Sequence, residues 1–141
     1  VIDAAGIGAS RPFPICGYSL QEQFGTLYIL GSKLIRMGDS LCALRCYDVL
    51  RAVEAAALLE NVLPGDVRLE GWGDGSVYAR IAGFLAGIPA SVRECPPTFT
   101  EVVQADAYDD RTFAEILLPG ILQHFDLDDL DQWIGCANNV I

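Results

Sequence analysis

A chain of 141 residues that is 52% apolar is long enough to bury one core, and no linker divides it, so it reads as a single domain. Its mean hydropathy of +0.32 is high, yet no uninterrupted apolar run approaches the roughly 18 residues of a membrane span, and no membrane partner is expected. Nine Lys and Arg against 19 Asp and Glu leave a net charge of −10, which argues against a nucleic-acid partner because affinity for a phosphate backbone comes from clustered cations.

The high apolar content suits strands that are covered by helices. The chain opens on "VID", which reads as a strand already under way and suggests a piece of something longer. A Gly-rich polar turn follows, where Gly6 and Gly8 permit dihedrals that other residues resist. From Thr26 to Met37 a helical stretch is closed by Gly38, and Asp39 or Ser40 can cap a long helix running to about Glu60. On that helix Leu41, Leu44, Tyr47, Leu50 and Val53 mark an apolar stripe, while Arg45, Asp48, Arg51 and Glu54 recur three apart and can pair along one side.

"NVLPGD" breaks this helix, and "VRLEG", Val67 to Gly71, is a strand that enters the glycine turn Gly71-Trp72-Gly73-Asp74-Gly75. The next helix, from about Asp74 to Ala86, carries Ala79, Ala82, Gly83 and Ala86, small residues that allow close packing on a sheet. "ASVREC" is the following strand, ended by Pro96 and Pro97. Residues 98–133 read as an excursion with two or three short helices, and "CANNVI" closes the chain as a final strand. Strands separated by helices specify an α/β fold with a parallel sheet.

Five cysteines, Cys16, Cys42, Cys46, Cys95 and Cys136, form no disulfide framework. Cys42 and Cys46 have helical spacing, but the single histidine, His124, is distant in sequence and no CxxC occurs. They read as small buried hydrophobes rather than metal ligands. The acidic stretches "AYDDRTFAE" and "HFDLDDLDQW" read as a solvated face with helix-capping carboxylates.

The glycine turn admits three readings. A nucleophile elbow needs small residues two positions either side of a nucleophile held at a strained strand-to-helix corner. A nucleophile at Asp74 would place Trp72 in a small position, and one at Ser76 would place Tyr78 there. Only the frame Gly71-x-Gly73-x-Gly75 obeys the steric rule, and its apex, Gly73, has no side chain. A dinucleotide fingerprint is the second reading, with Gly71-x-Gly73 opening a helix and Glu94 at the end of the next strand, although Ser76 holds the third glycine position. The third is a tight turn kept for packing.

"VIDAAGIGASR" resembles the segment after the fourth strand of α/β-hydrolases. "LRCYDVLRAVEAA", with Arg45, Asp48, Arg51 and Ala52, is similar to the R-x-x-D-x-x-R-A helix of acetyl xylan esterase-like members. "GDVRLEGWGDGSVYARIAGFLAG" occupies the place of their strand, elbow and following helix, and "LLPGILQHFDLDDLDQWI" resembles the segment before the strand that bears their catalytic acid. The resemblance implies a three-layer α/β/α fold with a mainly parallel sheet, one partial hydrolase domain over residues 1–141, and ester hydrolysis, often on carbohydrate, by a Ser-Asp-His triad.

Carried over position by position, the resemblance puts Gly73 in the nucleophile's place and the amide of Asp74 at the oxyanion. Gly71 and Gly75 take the small positions, and Ser76 is a weak substitute nucleophile. The acid and the histidine would fall beyond Ile141, and the family's RG after the fourth strand is altered to Ala5-Gly6. His124 precedes the last strand whereas the family's base follows it, so it reads as a packing or capping residue. The chain is therefore expected to be inactive alone, with no cofactor. The partners implied are the remainder of a hydrolase sheet, since the strand that lies between "VID" and "VRLEG" in that sheet is not found in this chain, or another copy of the chain.

Overall fold

A computed structural model describes residues 1–11, 25–107 and 114–134. Its described helices are α1 (Thr26–Arg36), α2 (Leu41–Ala57), α3 (Gly75–Ala86), α4 (Phe99–Gln104) and α5 (Leu127–Ile134), with the strands β1 (Leu69–Trp72) and β2 (Ala90–Arg93) on either side of α3. Short 3-10 turns lie at Gly8–Ser10, Pro64–Asp66 and Ile121–Gln123.

The helix boundaries follow from capping chemistry. Ser40 is extended, and its hydroxyl accepts the Ala43 amide at 3.0 Å, which starts α2. Gly38, at φ +79°, turns the chain out of α1. Helix α2 ends at Ala57 rather than near Glu60. The amides of Leu58 and Leu59 bond back three residues to Ala55 and Ala56, and both leucines are exposed, so no packing sustains a further turn. Thr98 and Glu101 form a reciprocal capping box at the start of α4.

The two strands are parallel, in the register Leu69↔Ala90, Glu70↔Ser91, Gly71↔Val92 and Trp72↔Arg93, with α3 as the crossover. This is the βαβ unit expected on either side of the glycine turn. Leu69 and Gly71 of β1 and Ala90 and Val92 of β2 face the helices, whereas Glu70, Trp72, Ser91 and Arg93 are exposed on the opposite face. The described chain is thus an α/β arrangement with a small parallel sheet and helices around it.

Helix α3 is the hub of the packing, with every residue from Ser76 to Gly83 buried. One side, through Ala79 and Ala82, meets Leu69, Ala90 and Val92, together with Val49, Leu50 and Val53 of α2. The other, through Val77, Tyr78 and Ile81, meets Cys42 and Cys46 of α2, Phe99 of α4, Ile116, and Leu127 and Leu130 of α5. A fully buried Leu gains about 1.5–3 kcal/mol over an exposed one, so Leu127 and Leu130, each with no exposed surface, hold α5 firmly in place.

Three expectations are corrected. Val1 to Asp3 form no strand; Val1 and Ile2 are exposed, and no described strand lies beside them to supply backbone partners. The apolar stripe of α2 is rotated: Leu41, Cys42, Arg45 and Cys46 are its buried residues, while Tyr47 is 57% exposed. Arg45, placed by its spacing in a ladder of charges that can pair along one side of the helix, has no exposed surface at all and bonds to Tyr78, Glu115 and Ala5 instead. The outer part of that ladder does exist, as an Arg51–Glu54 ion pair on the surface. Among the described residues no helix is long and apolar enough to cross a membrane. The "CANNVI" strand, Cys16 and Cys136 fall outside the described residues.

Candidate functional site at the glycine corner

The corner between β1 and α3 is built from backbone. The Gly73 amide donates to the Arg93 carbonyl at 3.1 Å, which extends the β1–β2 ladder by one step, and the chain then turns. Ser76 N donates to Gly73 O at 2.9 Å and Val77 N to Asp74 O at 3.1 Å, so α3 begins within two residues. The amide of Asp74 takes no part in these turn bonds. Gly73 sits at φ +54°, the left-handed region in which a side chain is disfavoured.

The two flanking glycines differ. A Cβ at Gly71 would lie 2.6 Å from Gly75 O, 2.7 Å from Ser76 Cα and 2.9 Å from Ala79 Cβ, so strand and helix approach too closely there for any side chain. A Cβ at Gly75 would meet nothing within 4 Å, and its φ is not in the left-handed region. The expectation that both positions are sterically required therefore holds for Gly71 and is corrected for Gly75, whose Cβ would point into open space. At Gly73 a Cβ would also stand in open space.

Ser76 is completely buried, and among the described residues its Oγ has no hydrogen-bond partner. No described residue therefore serves as the adjacent base that would make it a nucleophile. His124 is exposed at the end of the Ile121–Gln123 turn. Asp74 is the N-cap residue of α3, without a side-chain capping bond. Partial burial and the nearby Glu115 charge push its carboxyl above the ordinary range, against the opposing pull of Arg45.

Beneath the corner lies a polar network that sequence reasoning missed. Arg45 Nη1 donates to Tyr78 Oη at 2.5 Å and to Glu115 Oε2 at 2.9 Å, while Nε donates to Ala5 O at 3.0 Å. Tyr78 Oη in turn donates to Glu115 O at 3.1 Å. Asp48 Oδ2 accepts the Ala5 amide at 2.8 Å, so Arg45 and Asp48 clamp both backbone groups of one residue. Burial disfavours the Arg45 charge, but Tyr78 and Glu115 outweigh it and raise the guanidinium's pKa. Burial raises the Tyr78 hydroxyl in spite of Arg45, which keeps it protonated as a donor. The Cys42 thiol is also raised, by its bond with Cys46 and by burial, in keeping with a small apolar residue rather than a metal ligand. Among the described residues no cluster suits a metal ion. The R-x-x-D spacing of Arg45 and Asp48 was the one available signal of this network, but it could not name Tyr78 or Glu115.

The dinucleotide alternative relies on features that are engaged elsewhere. Asp74 is the N-cap residue of α3, where a pyrophosphate would sit, and an ionised carboxylate at that position disfavours an anion. Glu94, in the ribose-binding place, accepts the Trp72 indole N–H at 2.5 Å. The corner thus presents backbone amides and a bare Gly73 apex over a buried Arg45–Tyr78–Glu115 network. Comparison with models of protein families, with curated proteins and with solved structures found no match for this chain.

Proposed function

We propose that the chain is part of an α/β-hydrolase of the acetyl xylan esterase-like type, with an elbow that keeps its shape and has lost its nucleophile. The observation that carries this reading is Gly73, held at φ +54° at the apex between a parallel strand and the helix packed upon it. A nucleophile elbow gives that place to its attacking residue, and here no side chain stands on it. The lack of room for a Cβ at Gly71, which would meet Gly75 O and Ser76 Cα, is a further support, as is the Asp74 amide left outside the turn's own bonds, where an oxyanion donor would stand.

In this reading the substrates of the type are esters, often on carbohydrate, and the chain contributes the corner without the reaction. The sheet extends beyond β1 and β2 into a three-layer α/β/α arrangement, and the partners are the remaining strands of such a sheet or another copy of the chain. Neither a cofactor nor a metal is required, and neither nucleic acid nor a membrane is a partner. The dinucleotide-binding module remains the alternative.

The purified chain assayed with p-nitrophenyl acetate is expected to match a heat-denatured control. Turnover above that control, abolished by Ser76→Ala, overturns the reading. Adding NAD is expected to leave the thermal midpoint unchanged; a saturable increase favours the alternative.

A further inference from the structure

We draw no further inference here: the strongest candidate, an apolar cleft of about 320 Å³ between α2, α3 and residues 118–125, lined by Cys46, Leu50, Ile81, Phe84 and Phe125, carries nothing because no observation in the structure shows what covers it.

Discussion

Arg45 of α2 donates to the hydroxyl of Tyr78 of α3 at 2.5 Å, across 33 residues of sequence and with no exposed surface on the arginine. The guanidinium also lies 5.4 Å from the centre of the Tyr78 ring. This contact joins the two longest described helices beneath the glycine corner, and through Glu115 and Ala5 it ties the 114–116 helical turn and the N-terminal segment to the same point.

Removing one member of a buried charged network leaves the others without partners. Arg45→Met is expected to cost about 3 kcal/mol and Tyr78→Phe about 1–2 kcal/mol. Arg51→Met, at the exposed Arg51–Glu54 pair, is expected to stay within about 0.5 kcal/mol of the parent. Urea midpoints of the three variants check this; equal values for Arg45→Met and Arg51→Met would show that the buried network contributes nothing.

The glycine corner gives a graded series. Gly71→Ala forces a Cβ to within 2.6 Å of backbone and is expected to cost about 2–3 kcal/mol. Gly73→Ala has room but keeps φ +54°, for about 1 kcal/mol. Gly75→Ala is expected to be neutral or slightly stabilising, because it adds a better helix former in open space. Thermal midpoints in the order Gly75→Ala, Gly73→Ala, Gly71→Ala, from highest to lowest, are the expected outcome, and a reversal of the outer two would remove the close-approach account.

Asp126 bridges two helix starts. It accepts the amides of Phe99 at 2.9 Å and Thr100 at 3.0 Å from α4, and that of Leu127 at 2.7 Å from α5. Burial acts to raise its pKa, but the bonds from Thr100, Leu127 and Phe99 together hold it below the usual carboxylate range. A depressed folded value means that the stabilisation is fully present above the unfolded value of about 4 and fades as pH falls through the folded one. Asp126→Ala is expected to cost about 1–2 kcal/mol at neutral pH and to flatten the stability profile below about pH 4. An unchanged acid limb would count against the bridge.

Asp74 has the opposite sign. Its raised pKa, from burial and then from Glu115, means that the folded state binds the proton more tightly than the unfolded state does. Ionisation therefore costs stability at neutral pH, and the cost is relieved as pH falls through the raised value toward the ordinary one. Asp74→Asn is expected to raise the denaturation midpoint at pH 7 and to lose that advantage below about pH 4, where Asp74 itself is protonated. A lower midpoint at pH 7 would mean that attraction to Arg45 or to the helix N-terminus outweighs the burial cost.

Local chemistry made much of the fold legible. Gly38, Ser40, Pro64 and Gly87 end or begin elements through their own backbone preferences and nearest hydrogen bonds, so the βαβ unit from Leu69 to Arg93 and its helix could be read within a residue or two. The bare apex at Gly73 was legible for the same reason, since a missing side chain is a property of one position. The neighbours of Gly75 were not, because the room above it depends on the path that α3 takes.

Sequence by itself therefore determined the parallel strand–turn–helix–strand order, the acidic balance and the absence of a side chain at Gly73. Only the tertiary structure decided that Arg45 is buried against groups from other elements rather than paired along its own helix, and that Val1 to Asp3 form no strand. Periodicity assigned Arg45 to a charge ladder because its i, i+3 neighbours are charged, whereas its partners Tyr78 and Glu115 lie 33 and 70 residues away. A strand likewise exists only where another backbone lies beside it. Both outcomes turn on which distant groups the packing of α2 against α3 brings within about 3 Å, a quantity that no local pattern encodes.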